Sequence, residues 1–237
     1  MMTKFVLRIL TGVLLAIIIN LTVVNLSPHL PAQAIVFNGH RIMPLGASIT
    51  AGVPNGGGYR IKLWNIALAN KWNIHFVGSQ SNGPKSLGDK HHEGHPGYRI
   101  DQIASLVDHA LATYNPDIIL LYIGTNDAVQ NYNLINAPER LQSLINQIFY
   151  DIPKVHLLVA KIGLSTNDKY NAGIKKINAG IPNIVSYEQA HGHSIKLVDM
   201  NRVLTKNDIR SDQIHPTQHG YDKMADEWAK AIQPLLK

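Results

Sequence analysis

The sequence predicts an α/β fold with a parallel sheet covered on both faces. Three observations carry that prediction: short apolar runs alternate with amphipathic stretches, helical spacing fills the intervals between five such runs, and polar turns follow their carboxyl ends. Strands are expected at Arg41–Leu45, Ile74–Val77, Asp117–Ile123, Val155–Ile162 and Ile195–Val198. Apolar periodicity predicts helices over Tyr59–Ala69, Ile100–Leu111, Pro138–Phe149, Ile174–Tyr187 and Tyr221–Leu235. A chain of 237 residues can bury a sizeable core in one such domain, and nothing in its composition calls for a second.

The first 34 residues read differently. Lys4 and Arg8 precede an apolar run from Ile9 to Val24, and Ser27, Pro28 and Pro31 lead to Ala32-Gln33-Ala34. This is the order of a secretory signal with a small-x-small cleavage site. The expected organisation is a signal peptide over 1–34, one folded domain over 35–237, and a secreted or periplasmic location. Retention is the competing reading, since Phe5–Leu26 is just long enough to span a bilayer. Uncleaved, that segment would be the only expected contact with a membrane. Removing it takes the formal charge from +6 to +4. The basic residues are scattered and form no aromatic-interleaved stripe, which argues against a nucleic-acid surface. Cysteine is absent, so an exported protein would use neither disulfides nor thiol chemistry.

In open α/β sheets ligands bind beyond the carboxyl ends of the strands, near a topological switch point. The polar motifs fall there. The first run ends in Gly46-Ala47-Ser48, a tight turn into a helix, where a serine nucleophile would meet backbone N–H groups able to receive an oxyanion. After the second run comes a polar loop, Gly78–Gly97, and since structureless loops beyond ~12–15 residues are uncommon in compact domains, its length predicts a function. The third run leads into Gly124-Thr125-Asn126-Asp127, and Asn126 offers an amide donor suited to an oxyanion hole. Past the fifth lies Asp212-Gln213-Ile214-His215-Pro216, where a carboxylate three positions before an imidazole can orient it toward a nucleophile. Pro216 also biases His215 away from helical conformation.

Singly, each residue has an ordinary structural reading: Ser48 caps a helix, Asn126 makes an Asx-turn, and Asp212 accepts backbone N–H groups beside an exposed His215. Met together at one sheet edge, they point to catalysis. His91, His92, Glu93 and His95 are metal-ligand types, but they lack the His-Glu-x-x-His helical pattern, so no metal is expected. Gly56-Gly57-Gly58 lacks the Lys-Ser/Thr of a phosphate loop. Trp64 and Trp72 read as packing residues, while Tyr59 and Tyr98, beside the site motifs, are expected to touch substrate.

Gly46-x-Ser48, Gly97, Gly124-Thr125-Asn126-Asp127 and Asp212-x-x-His215, in this order, resemble the SGNH (GDSL-type) hydrolases over about Arg41 to Leu235. Further detail is similar to the family-3 carbohydrate esterases, which include acetylxylan esterases. It comprises Ile42-Met43-Pro44-Leu45-Gly46, Gly57-Gly58-Tyr59-Arg60, Phe76-Val77-Gly78-Ser79, His92-Glu93-Gly94-His95-Pro96-Gly97-Tyr98 and His215-Pro216 with Gly220-Tyr221. The resemblance implies a flavodoxin-like three-layer sandwich with a five-stranded parallel sheet, the SGNH hydrolase fold. It makes Ser48 the nucleophile, His215 the general base and then acid, and Asp212 the residue that fixes the imidazole tautomer. The oxyanion hole would combine the Ser48 and Gly97 N–H groups with the Asn126 side chain.

The implied protein is a secreted, monomeric serine esterase that needs no cofactor and hydrolyses small acyl esters, chiefly acetyl, of a polysaccharide or oligosaccharide. Alternatives are a lipase, thioesterase or arylesterase of the same superfamily, or a non-catalytic carbohydrate-binding protein on the same scaffold. One departure stands out: the usual Gly-Asp-Ser is Gly46-Ala47-Ser48 here. The triad carboxylate comes from Asp-x-x-His, so the departure touches the support of the turn and leaves the mechanism in place.

Overall fold

The computed structural model describes residues 39–236, and the expected signal segment lies outside them. The chain runs β1 (His40–Gly46), α1 (Ser48–Ala51), α2 (Tyr59–Ala69), β2 (Ile74–Phe76), β3 (Gln80–Ser81), β4 (His91–Gly94), α3 (Ile100–Tyr114) and β5 (Ile118–Tyr122). It continues through α4 (Thr125–Val129), α5 (Ala137–Asp151), β6 (His156–Lys161), α6 (Asp168–Ala190), β7 (Ile195–Asp199), α7 (Met200–Val203) and α8 (Gln218–Ile232). Among the described residues no helix is long and apolar enough to cross a membrane.

β1 is the centre of the sheet. β5 pairs with it in parallel from Ile42 opposite Ile118 to Gly46 opposite Tyr122, and β6 and β7 extend that side, also in parallel. The other edge of β1 is shared: β2 pairs with His40–Ile42, and β4 takes over at Leu45 and Gly46. Five expected strands thus become seven among the described residues, because the second sheet position is split and the short β3 adds an antiparallel edge. Pro44 sits at the break. The carbonyls of Ile42 and Gly46 face this edge, where they accept from Val77 and His95, so by strand alternation Pro44 faces it too. A proline has no N–H to donate, and its position between the two pairing segments leaves no ladder bond unmade.

The stretch Gly78–Gly97, expected as a long polar loop, instead contains β3 and β4. β4 reads His-His-Glu-Gly yet buries His92, Glu93 and Gly94, and it does so because each polar side chain finds an internal partner or stays uncharged.

The helices form where apolar spacing predicts them. α3 buries Ile100, Ile103, Val107, Ala110 and Leu111 on one face, starts where Gln102 Oε1 accepts the Arg99 amide at 3.0 Å, and ends at Asn115 in left-handed conformation. α2 packs on α8, and α5 packs on both α3 and α6, so two helical layers enclose an apolar sheet whose β5 is buried along its whole length. α6 is longer than its predicted span. Asn167 caps it by accepting from the Lys169 and Tyr170 amides, and the helix continues through Pro182 to Ala190.

The chain winds from β1 out to β2 and β4, then α3 carries it back across to β5 on the opposite side of β1. That reversal places a crevice at the carboxyl ends of β1, β4 and β5.

Candidate active site

Four segments meet in this crevice. At the end of β1 the chain passes Gly46, where a Cβ would lie 2.1 Å from the Tyr122 carbonyl oxygen, so only glycine allows β1 and β5 to close this tightly. Ser48 then opens α1. As the first residue of a helix, its N–H is one of the donors that no intrahelical carbonyl satisfies. Arg60, fully buried, grips the other end of α1 through the Thr50 and Ala51 carbonyls and reaches the Lys90 carbonyl at 2.8 Å and the Asn82 side-chain oxygen at 2.6 Å. Burial pushes its guanidinium down to about 10, so at neutral pH a buried cation ties α1 to the β3–β4 segment.

The second contribution comes from the turn after α7. Asp212 Oδ1 accepts the Ile214 and His215 amides at 3.0 and 2.9 Å, which folds the chain back so that Oδ2 lies 3.0 Å from His215 Nδ1. His215 Nε2 then lies 2.9 Å from Ser48 Oγ. Burial raises the Asp212 carboxyl, but the two amides and the imidazole outweigh it and hold it below the usual aspartate range. Gln213, at φ +70, makes the turn possible, and its carbonyl accepts from Ser165 Oγ and the Thr166 amide. The β6–α6 connection thus braces the Asp-His turn, and Thr217 caps α8 directly behind it.

The third contribution is the turn His95-Pro96-Gly97-Tyr98. The Tyr98 amide donates to the His95 carbonyl at 3.1 Å, and Gly97 has φ +86. Proline at the second position and a positive φ at the third make this a type II turn. A Cβ on Gly97 would meet nothing within 4 Å, so conformation and not space requires glycine there. The fourth is Asn126 at the start of α4, whose Nδ2 donates to the Tyr98 carbonyl at 2.8 Å, leaving its second N–H for another acceptor.

Of the residues expected to form the site, Ser48, Asp212 and His215 are connected in one hydrogen-bonded line, and Gly97 and Asn126 are joined to each other through Tyr98. One expectation is corrected. Tyr59 is 0% exposed, its ring packs against Trp228 at 6.0 Å between centroids, and burial drives its hydroxyl far above the ordinary range. It is a core residue of the α2–α8 interface and cannot touch a substrate. Tyr98 remains partly open and stacks on His95, with ring centroids 5.1 Å apart.

The histidines of the β4 segment go separate ways. His91 pairs with Asp89, His95 with Glu93, and buried His92 accepts the Gly94 amide at Nδ1 while burial and then Arg60 press its pKa down to about 3. Among the described residues no three His, Asp or Glu side chains are grouped as metal ligands. A cleft of about 660 Å³ opens along β2 between Trp64, Asp89 and Tyr114, and none of the three triad candidates lines it.

Fold and site define an α/β protein with a serine at the head of the helix that follows its central strand. Residues 42–228 match the family described as GDSL-like Lipase/Acylhydrolase, and the chain belongs to that family. Over 257 aligned positions it is 32% identical to a "Multidomain esterase" of Ruminococcus flavefaciens, covering 92% of this chain and 32% of that protein. The chain therefore spans about a third of that relative's length. Among solved structures it is similar to a Clostridium thermocellum family 3 carbohydrate esterase, 39% identical, with a TM-score of 0.76 over 84% of this chain and 97% of the other. A carbohydrate esterase family 3 structure from Talaromyces cellulolyticus, 24% identical, shares the fold with a TM-score of 0.75 over 83% of this chain and 98% of the other.

Proposed function

We propose that this protein is a serine esterase that removes small acyl groups, acetyl foremost, from a polysaccharide or its oligomers. The observation that carries the reading is the continuous line Asp212 Oδ2, His215 Nδ1, His215 Nε2, Ser48 Oγ, with contacts of 3.0 and 2.9 Å. In this reading Ser48 Oγ attacks the ester carbonyl and gives its proton to His215 Nε2, while Asp212 stabilises the imidazolium through Nδ1–H. The Ser48 and Gly97 amides and the free N–H of Asn126 receive the oxyanion. The tetrahedral intermediate collapses, and the alcohol leaves with the proton held on His215. Water, deprotonated by the same nitrogen, then attacks the acyl-enzyme, and the carboxylic acid departs as Ser48 Oγ regains its proton.

The choice of carbohydrate over lipid rests on the 39% identity to a solved structure that carries the name family 3 carbohydrate esterase. We further propose export with cleavage after Ala34, so that the mature, monomeric protein begins at Ile35, as the Ala32-Gln33-Ala34 site suggests. The experiment is hydrolysis by the mature protein of acetylated xylan and of aryl esters with acyl chains of rising length. Acetate release from xylan with falling rates on longer chains is expected. Rates that rise with chain length would favour a lipase or thioesterase, and binding to xylan without turnover would favour a non-catalytic scaffold.

A further inference from the structure

We infer that Glu93 and His95 form a positioning pair that sets the oxyanion hole, a role that rests on the serine esterase reading above. Glu93 is 2% exposed, at the end of β4 opposite Leu45, the last residue but one of the strand that delivers the nucleophile. Its carboxylate receives the Ser79 amide at 2.6 Å, the Ser79 hydroxyl at 2.9 Å and His95 Nε2 at 2.6 Å. Three donors around one buried carboxylate leave the imidazole ring no alternative partner on that side.

The consequence passes along the backbone of His95. Its amide donates to the Gly46 carbonyl at 2.9 Å and its carbonyl accepts the Tyr98 amide, so His95 is the first residue of the turn that carries Gly97. Its ring, fixed by Glu93, stacks on Tyr98, the last residue of the same turn, at an interplanar angle of 27°. The Tyr98 carbonyl in turn holds the Asn126 amide at 2.8 Å. Two of the three oxyanion donors therefore depend on one four-residue turn, and Glu93 with His95 grips that turn from the sheet side. From the opposite side Gln130 Nε2 donates to the Gly97 carbonyl at 3.2 Å. In a type II turn the amide plane between the second and third residues is what sets the Gly97 N–H direction, and a ring locked across the turn's ends opposes its rotation.

A small misplacement of catalytic groups costs up to about a hundredfold in rate, and donors to an oxyanion matter mostly in the transition state. The test measures kcat and KM on one soluble acetyl ester for wild type, His95→Phe, Glu93→Gln, Asn126→Ala and the double variant His95→Phe with Asn126→Ala, alongside thermal unfolding. His95→Phe keeps a ring to stack on Tyr98 and loses the bond to Glu93. We expect both single changes at the pair to lower kcat about 10–100-fold with KM within about threefold. The double variant should lose less than the product of its two single losses, because both changes damage the same hole.

Unchanged kcat in His95→Phe, a loss confined to KM, or strictly multiplicative losses would overturn the inference. Should Glu93→Gln fail to fold, the less buried His95 position decides alone. Ser48→Ala in the same series separates the two ideas. Turnover surviving in Ser48→Ala would sink the esterase mechanism itself, whereas turnover lost there but intact in His95→Phe would sink only the positioning pair.

Discussion

His215 Nε2 lies 2.9 Å from Ser48 Oγ across 167 positions of sequence, and the two residues reach this distance from separate turns at the carboxyl edge of the sheet. Ser48 is fixed by β1 and by Arg60 behind α1, and His215 by the Asp212 turn at the head of α8. Replacing the hydroxyl by a methyl group leaves both supports in place. Ser48→Ala should therefore abolish ester turnover without lowering the unfolding temperature. A fluorophosphonate probe should label the wild type at Ser48 and not the variant, and labelling that persists in the variant would place the nucleophile elsewhere.

Asp212 does two jobs at once, since it accepts two backbone amides and the imidazole. Asp212→Asn keeps the size but offers an N–H where His215 Nδ1–H needs an acceptor, which favours the wrong tautomer. A loss of about 10³–10⁴-fold in kcat is expected. The Asp212 carboxyl is held below the usual aspartate value of ~3.9, so it stays ionised down to that pH, and any loss of activity from its protonation should appear only below it. A pH–rate profile of wild type and variant on one acetyl ester checks both statements, and near-full activity in Asp212→Asn would show that another carboxylate orients His215.

The burial of Tyr59 separates two tyrosines that look alike in sequence. Tyr59→Phe should leave KM for an acetylated oligosaccharide within about twofold, because the ring is walled off by Trp228. Tyr59→Ala should instead cost about 3–5 kcal/mol of stability, the usual price of emptying an aromatic core position. Tyr98→Ala, at the open turn, should lower kcat/KM by tenfold or more through the stack on His95 and the hold on Asn126. Comparable KM increases for Tyr59→Phe and Tyr98→Phe would mean that the α2–α8 interface opens to substrate.

How far the sequence exposes this architecture depends on how local the cause is. The runs that form β1, β5 and β6 are apolar on both faces and could be placed directly, and Asp212-x-x-His215 carries its own geometry in three residues. β4 could not be read from composition, because its burial of His92 and Glu93 relies on Ser79, His95 and Gly94 closing around them. Arg60 was hidden for the same reason: a cation satisfied by carbonyls from α1 and the β3–β4 segment has no signature in its own neighbourhood. Tyr59 beside the Gly57-Gly58 turn shows the reverse error, since proximity to a motif in sequence said nothing about which way the α2 face turned.

Acid stability should be set in part by Asp208, which is buried beneath the Asp-His turn and receives the Thr205 amide and hydroxyl, each at 2.7 Å, and the Lys223 ammonium at 2.8 Å. Burial raises its carboxyl, but these partners outweigh burial and hold it below the ordinary value. A carboxyl depressed in the folded state contributes its full stabilisation above the unfolded value of ~3.9 and loses it as pH falls through the folded value. Asp208→Asn should accordingly destabilise the protein at neutral pH by about 1–3 kcal/mol. The gap to wild type should narrow as thermal unfolding is followed below pH ~4. A gap that stays constant down to pH ~3 would mean that packing and not charge accounts for the loss.

The last prediction concerns Ala47, where the resemblance to GDSL-type hydrolases leads one to expect aspartate. Ala47 is the N-cap of α1 and supplies no side-chain cap, although its carbonyl accepts the Ala51 amide at 3.0 Å. An aspartate at an N-cap accepts first-turn amides and gains about 1 kcal/mol over alanine. In a domain of this size that corresponds to roughly 2–4 °C in unfolding temperature. The same carboxylate brings negative charge next to the Ser48 amide that would receive the oxyanion, which works against turnover. It has no triad position to fill, because Asp212 already occupies the far side of His215 at 3.0 Å. Ala47→Asp should therefore raise the unfolding temperature by a few degrees and change kcat/KM by less than about tenfold in either direction. Both are measured on the purified variant with the acetyl ester used for Asp212→Asn. A gain above about a hundredfold would show that the carboxylate at position 47 completes the catalytic machinery, that Asp212 has been assigned the wrong role, and that the natural chain is a weakened hydrolase.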